Sequence, residues 1–119
     1  MSADCIFCLI AAGSIPCDKV YEDDTVLAFQ DLHPQTPTHT LVIPKRHIPC
    51  LDDLNENDRN EAGHLLERVA HVARTLGLAE KGYRTVINTR EHGGQEVDHL
   101  HIHILGGRRV GPMVSRPGI

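Results

Sequence analysis

The 119-residue chain has no tryptophan, only two tyrosines and two phenylalanines, and no long apolar run. A membrane-spanning helix needs about 20 apolar residues. The apolar run from Cys5 to Ala12 covers eight residues, and no basic segment precedes it as it would in a secretory signal. We therefore expect a cytoplasmic protein that does not associate with membranes.

Positive charge is also scarce in this sequence. Sixteen acidic residues against twelve lysines and arginines give a formal net charge of −4, and no basic run exceeds two residues. A protein that binds polynucleotides needs a basic face to displace counterions, so this class of partner is excluded. The length predicts a single domain, residues 1–119, because domains usually contain roughly 100–200 residues.

Histidine is abundant by contrast. The nine histidines lie at positions 33, 39, 47, 64, 71, 92, 99, 101 and 103. Their spread excludes a polyhistidine tail. Because imidazole titrates near neutral pH, binds metals and can act as a nucleophile, the excess indicates a functional site.

The hydrophobic pattern predicts an α+β fold with a mostly antiparallel sheet. A long helix is predicted over 56–76, with Leu65, Leu66 and Val69 on its apolar face and His64 and His71 on its solvated face. A short helix is predicted over 5–12. Strands are predicted over 20–21, 25–29, 38–43, 84–88 and 98–105.

The four cysteines divide into two groups. Cys17 and Cys50 stand alone and are interpreted as packing residues. Cys5 and Cys8 form a C-x2-C pair, whose spacing lets both thiolates reach one tetrahedral metal ion. Inert thiols and a redox pair are the alternatives, and structural disulfides are not expected in the cytosol.

Three histidines alternate with apolar residues in the strand predicted over 98–105. Side chains alternate between the faces of a strand, so His99, His101 and His103 project to one side. One interpretation is the polar face of a half-exposed strand. A second is a pair of ligands for catalytic zinc or iron. A third is an imidazole nucleophile, with the Gly93-Gly94 turn offering N–H groups to an anion.

The segment HLHIHIL at residues 99–105 resembles the signature of the histidine triad superfamily, in particular its purine nucleoside phosphoramidase branch. Residues 31–39, 42–48, 93–95 and 105–108 match as well. The resemblance covers a core of about 5–109 and leaves a tail of 110–119. It implies roughly five antiparallel strands, one long helix, a short N-terminal helix, and a homodimer with a continuous sheet.

The resemblance also implies a function and a set of site residues. The enzyme would cleave purine nucleoside 5′-phosphoramidates and aminoacyl adenylates at the α-phosphorus. His101 matches the nucleophile, and His103 matches the partner that contacts the phosphate and assists proton delivery. The implied nucleotide-binding residues are Phe29 and Leu32 at the base, Asp31 at the ribose, and Asn88, Gly94, Gln95 and Glu96 on the phosphate side.

Two other functions remain open at this point. A dinucleoside polyphosphate hydrolase would use the same fold and nucleophile. A nucleotide-binding adaptor protein would bind the nucleotide with little turnover.

The resemblance further implies one structural zinc ion per chain, because members with a C-x2-C pair bind zinc. The ligands would be Cys5, Cys8, His47 and His99, a closed Cys2His2 site. This makes the metal structural, since His101 is not among its ligands.

The sequence departs from the family pattern in three places, one of which is Gln30, where a histidine often precedes the ribose acid. Glu96 stands where some members of this branch have a serine near the phosphate, and the tail lacks a tryptophan that many relatives carry. A carboxylate beside an anionic substrate is repelled unless it points away or is protonated, so only the backbone N–H of Glu96 is assigned to the phosphate. No role is assigned to His33, His39 or His92.

Overall fold

One sheet of five antiparallel strands forms the centre of the fold. The structure is a computed structural model that describes residues 4–115. The strands are β1 (Lys19–Glu22), β2 (Val26–Gln30), β3 (Thr38–Pro44), β4 (Arg84–Val86) and β5 (Ile102–Gly106), and their order in the sheet is β1-β2-β3-β5-β4. The helices are α1 (Ile6–Ala11) and α2 (Arg59–Thr75). The predicted fold class is confirmed.

The two faces of the sheet bury different partners. One face packs against α2, and its core includes Val26, Val42 and Ile104. The other face packs against α1, and its core includes Phe7, Phe29 and Leu41. Successive residues of each strand therefore face opposite sides of the sheet, as the two-residue period of a β-strand requires.

The long helix starts later than predicted. Two short 3₁₀ turns, Leu51–Asp53 and Glu56–Asp58, come before it. The Asn55 side chain accepts the N–H of Asn57, so it caps the second of these turns and not α2. Leu65 and Val69 are buried as predicted, whereas Leu66 is 63% exposed, so its placement on the apolar face was wrong.

The predicted solvated face of α2 also touches the β1–β2 hairpin. His64 lies 2.7 Å from a carboxylate oxygen of Asp23, and the ring of His71 packs on Tyr21 at 5.4 Å between centroids. His64 remains exposed, and His71 is half-buried. Both histidines therefore fasten the helix to the hairpin rather than form a site.

The strand that carries the histidine motif is shorter than predicted. It begins at Ile102, not residue 98, because the N–H of Leu100 donates to the carbonyl of Ile48 at 2.7 Å, and the N–H of His99 turns back to Val97. The face alternation nevertheless continues through this segment, since Leu100, Ile102 and Ile104 all enter the core on the α2 side.

The described part of the predicted tail, residues 110–115, contains neither helix nor strand. The guanidinium of Arg84 donates to the carbonyls of Gly111 and Pro112 at 2.7 and 3.0 Å. The end of that tail, 116–119, lies outside the described residues. Between residues 4 and 115, no helix combines the length and apolar character that crossing a membrane requires.

Candidate functional site

The middle histidine of the motif has one nitrogen fixed by the backbone. His101 is buried, and its Nδ1 lies 2.6 Å from the carbonyl oxygen of His99. Because a carbonyl only accepts hydrogen bonds, Nδ1 must carry the proton. The lone pair of a neutral His101 is therefore on Nε2, the atom that a nucleophilic imidazole needs free.

The third histidine belongs to a chain of hydrogen bonds. Register pairs Leu41 with His103 and His39 with Leu105, so His39 and His103 are diagonal neighbours on one face. The Gln35 N–H donates to His39 Nδ1 at 3.0 Å, and His39 Nε2 lies 2.9 Å from His103 Nδ1. Since His39 Nδ1 accepts, its Nε2 carries the proton and donates to His103. Neutral His103 then keeps its own proton on Nε2.

His39 is the residue that sequence reasoning missed. It is 4% exposed, and its Nε2 also lies 3.4 Å from an oxygen of Asp31. Burial lowers the pKa of His39, while the Asp31 carboxylate opposes that shift. The available signal was its position in a strand predicted to pair with the histidine strand, but sequence alone did not supply the register.

Burial also keeps His103 neutral. Loss of hydration lowers the pKa of His103 to about 4, with further lowering by nearby His101 and His39 and an opposing effect of Asp31. At neutral pH the imidazole is therefore uncharged, and its Nδ1 is free to accept from His39.

Asp31, His39 and His103 also have the spacing of a metal site, since one ligand atom of each lies within 4.8 Å of the others. The hydrogen bonds argue against that use. A metal on His39 Nε2 would move the proton to Nδ1, where it would oppose the N–H of Gln35. The arrangement favours proton handling over metal binding.

A cavity of about 350 Å³ opens onto these histidines. It is lined by Asp31, His33, Gln35, His39, Asn88, Gly94, Glu96, His101 and His103. The structure thus brings together both predicted catalytic histidines and four of the seven predicted nucleotide-binding residues.

Three predicted nucleotide-binding residues do not line this cavity. Phe29 is only 4% exposed and packs edge-on against Phe7, so it supports the site from beneath. Leu32 is 87% exposed. The amide nitrogen of Gln95 donates to the carbonyls of Pro49 and Val97, which makes it an organiser of the loop.

The glycine turn beside the cavity is sterically constrained. A Cβ on Gly93 would lie 2.4 Å from the carbonyl oxygen of Thr89, and Gly94 has a φ of +74°. The side-chain amide of Asn88 donates to the carbonyl of Gly93 at 2.7 Å, which leaves its second N–H for a ligand.

The backbone N–H groups of the turn are only partly available. The N–H of Gly94 donates to Glu91 and that of Gln95 to Arg90. The expectation that the Gly93-Gly94 turn offers successive N–H groups to an anion is therefore wrong for Gly94. In residues 4–115, the N–H of Glu96 has no such internal acceptor.

The four predicted metal ligands converge at the other end of the motif. Cys5 Sγ lies 3.3 Å from His99 Nδ1, Cys8 Sγ lies 3.2 Å from His47 Nδ1, and the two Nδ1 atoms lie 3.3 Å apart. Around a tetrahedral zinc ion, sulfur and nitrogen ligands lie about 3.6 Å apart and two nitrogens about 3.3 Å apart, given the usual bond lengths. The residues therefore fit a metal ion.

A neighbouring carbonyl prepares His99 for this role. His99 Nε2 lies 2.8 Å from the carbonyl oxygen of Pro44, so Nε2 carries the proton and Nδ1 presents its lone pair to the cysteines. Burial lowers the pKa of His99, which keeps the imidazole neutral as a ligand must be. Within residues 4–115 all four cysteines are free of disulfides.

Phe7 connects the cysteine pair to His101. It lies between Cys5 and Cys8 in sequence, and its ring contacts His101 edge-on at 5.1 Å and His99 at 5.9 Å. Any shift of α1 therefore reaches the imidazole of His101 through one aromatic contact.

A larger cavity of about 770 Å³ lies elsewhere, lined by basic residues that include Lys81, Arg84 and Arg108. The residues between 4 and 115 that line it include neither a histidine nor a carboxylate. Size alone would select it as the functional site, but the chemistry selects the smaller cavity.

Comparison with known proteins identifies the family of the chain and relatives that share its fold. The sequence model of the HIT domain family matches residues 12–110. The chain is 45% identical over 119 residues to the purine nucleoside phosphoramidase of Escherichia coli K12, covering 100% of both chains. It superposes on a HIT family hydrolase from Legionella pneumophila with a TM-score of 0.87 at 49% identity, over 89% of this chain and 95% of that one. A histidine triad protein from Clostridium difficile gives a TM-score of 0.90 at 45% identity, over 94% and 97%.

Proposed function

The chain belongs to the HIT domain family, and on that premise we propose that it is a hydrolase of purine nucleoside 5′-phosphoramidates. The observation that carries the proposal is the bond from His101 Nδ1 to the carbonyl of His99. In the neutral imidazole this bond leaves the lone pair on Nε2 as the nucleophile, in a cavity that also holds phosphate donors.

In the first step, His101 Nε2 attacks the α-phosphorus and a P–Nε2 bond forms. The P–N bond to the leaving amine breaks, and the amine nitrogen takes a proton from solvent water. His103, with its proton on Nε2, donates a hydrogen bond in the cavity, and the free N–H of Asn88 and the backbone N–H of Glu96 hold phosphate oxygens.

In the second step, water attacks phosphorus and the P–Nε2 bond breaks. The products are a nucleoside 5′-monophosphate and free His101, and the proton released by the attacking water returns to solvent, which balances the one that the amine took. The His99 carbonyl stabilises the transient positive charge on the phosphorylated imidazole through its Nδ1–H.

The nucleoside side of the cavity is assigned to Asp31 and Leu32. One Asp31 oxygen accepts the N–H of His33 at 2.8 Å, which orients the carboxylate beside His39. The ribose hydroxyls donate to this carboxylate, and the exposed Leu32 covers the base. Phe29 acts from below by packing on Phe7 rather than by touching the base.

We further propose that Cys5, Cys8, His47 and His99 hold one structural zinc ion. Two sulfur and two nitrogen ligands complete a tetrahedral site and leave no position for substrate. When bound, the ion supplies a cross-link between α1 and the segment that precedes β5.

The homodimer is proposed from two exposed features. Among the described strands, β4 lies at one edge of the sheet and pairs only with β5. Unpaired strand edges are templates for another chain. Leu66 on α2 is 63% exposed, although a large apolar side chain gains free energy from burial. A second copy joined at β4 would make the sheet continuous.

Two organisational proposals complete the assignment. Residues 1–119 form one domain, supported by the family match over 12–110. The protein works in the cytoplasm, supported by free thiols at Cys5 and Cys8 that metal binding requires.

The test uses adenosine 5′-monophosphoramidate and rapid-quench mass spectrometry. We expect an AMP adduct on His101, and we expect His101→Ala to lose at least about a thousandfold in kcat/KM. His92→Ala, in an exposed loop position outside the cavity, should keep wild-type turnover. Wild-type turnover by His101→Ala would refute the assignment, and faster cleavage of diadenosine polyphosphates would favour that hydrolase instead.

A further inference from the structure

Glu96 is the one charged residue of the cavity whose side chain the mechanism leaves unexplained. It lines the same cavity as His101 and His103. Among residues 4–115, its carboxylate makes no hydrogen bond or ion pair. Asp31, the other acid of the cavity, has two partners. One of its oxygens accepts the N–H of His33, and the other lies 3.4 Å from His39 Nε2.

The described lining of the cavity also lacks a fixed positive charge. Among residues 4–115, that lining contains two carboxylates and no lysine or arginine. Burial lowers the pKa of His39 and of His103, so those imidazoles are neutral at pH 7. The phosphate of a substrate therefore lies between neutral donors and the Glu96 carboxylate, which repels it.

The backbone that carries Glu96 is held on both sides. Gln95 accepts the N–H of Arg90 on its amide oxygen and donates from its amide nitrogen to Pro49 and Val97. The next residues lead directly into His99, which is completely buried. The Glu96 carboxylate is therefore carried by an anchored segment at the cavity wall, which fixes its position more firmly than a free loop would.

Resting on the proposed function, we propose that Glu96 is a specificity residue that selects leaving amines bearing a second positive charge. A cationic group on the amine would pair with the carboxylate and compensate its repulsion of the phosphate. The chemical class is a phosphoramidate of a diamine or of an amine with a basic side chain. Neutral alkylamines of the same length should react more slowly.

The experiment compares two adenosine 5′-phosphoramidates of similar shape, one of 1,3-diaminopropane and one of butylamine. The free ammonium of the first is charged at pH 7, since its pKa resembles that of lysine. We expect wild-type protein to favour the diamine substrate about tenfold in kcat/KM. Glu96→Gln should lower that preference to within about twofold, and Glu96→Lys should invert it.

Two controls isolate the charge. Glu91→Gln removes an exposed carboxylate from the same turn that does not line the cavity, and it should keep the wild-type preference. Higher salt should weaken the preference in wild-type protein but not in Glu96→Gln, because ions screen an exposed charge.

A binding measurement separates this proposal from the proposed function. Calorimetry on His101→Ala, with and without Glu96→Gln, gives the dissociation constants of both amides without turnover. If the wild type shows no turnover but binds the diamine amide more tightly in a way that depends on Glu96, only the proposed hydrolase function is overturned. Equal preference in wild-type and Glu96→Gln protein, by rate and by binding, overturns the role of Glu96.

Discussion

At the scale of single residues, neighbouring backbone groups decide which imidazole nitrogen carries a proton. The carbonyl of His99 assigns the proton of His101 to Nδ1, and the N–H of Gln35 assigns the proton of His39 to Nε2. Because His39 Nε2 then donates to His103 Nδ1 across 2.9 Å, the proton of neutral His103 lies on Nε2. Each of these imidazoles, when neutral, therefore presents a defined donor or acceptor before substrate binds.

His39 should be a positioning residue for His103. In His39→Phe the donor to His103 Nδ1 is lost, so the proton of His103 is no longer confined to Nε2. We expect kcat to fall roughly tenfold to hundredfold with little change in KM. Steady-state kinetics across pH 4–8 checks this, with the acid limb of kcat shifting in the variant. Unchanged kcat and an unchanged pH profile would contradict the role.

The buried His103 should make stability depend on pH. Its pKa is lowered from 6.5 to about 4 on folding, so between those pH values the unfolded chain binds more protons. The free energy of unfolding should therefore fall as the pH drops from 6.5 to 4, with a contribution of about 2–3 kcal/mol from this residue.

Urea unfolding at several pH values measures that slope. His103→Gln, which cannot titrate, serves as the reference, and the difference between the two proteins isolates His103 from the other histidines. Parallel stability curves for the two proteins would rule out the assigned pKa.

At the scale of elements, α1 is short and derives its position from its ends. The N–H of Cys8 donates to Cys5 Sγ at 3.3 Å, and both sulfurs face His47 and His99 across the cluster. Phe7, on the same helix, contacts His101. A helix of six residues is marginal in isolation, so tertiary contacts must hold it in place.

Removing the metal should therefore destabilise α1 and disturb the nucleophile. We expect one zinc ion per chain by elemental analysis and its loss in Cys8→Ser. The free energy of unfolding should fall by several kcal/mol, because metal binding contributes to folding free energy. Cys17→Ser, which changes a half-buried thiol outside the cluster, is the matched control. Metal-free protein with the same free energy of unfolding as the wild type would contradict the zinc proposal.

At the scale of the whole molecule, the sheet separates the apolar core on one side from the candidate site on the other. Its α2 side is an apolar core, and its α1 side carries the cysteine–histidine cluster, His101 and the hydrogen-bond chain from His39 to His103. Strand parity makes this division possible, since residues 100, 102 and 104 go to the core while 99, 101 and 103 go to the site. The edge at β4 remains available for a partner.

The dimer predicts a solution mass of twice 13.2 kDa. Leu66→Glu places a charge at the exposed leucine of α2 and should shift the equilibrium to monomer without unfolding the chain. Light scattering over a concentration series measures both states. Leu51→Glu, at another exposed leucine, should remain dimeric. A wild-type mass of one chain would contradict the dimer.

The sequence by itself determined the features that depend on local periodicity and spacing. Alternation placed His99, His101 and His103 on one face, the i, i+3, i+4 pattern located α2, and the C-x2-C pair indicated a metal cluster. These features need only the geometry of one element, which neighbouring residues specify.

Only the tertiary structure decided the contacts between distant segments. The bond from His39 to His103 depends on the register of β3 against β5, and the start of β5 depends on the carbonyl of Ile48. The burial of Phe29 and the exposure of Leu66 depend on what packs over each face. The free carboxylate of Glu96 became meaningful only once the folded chain placed it beside His101. Such contacts join residues far apart in sequence, so no local pattern encodes them.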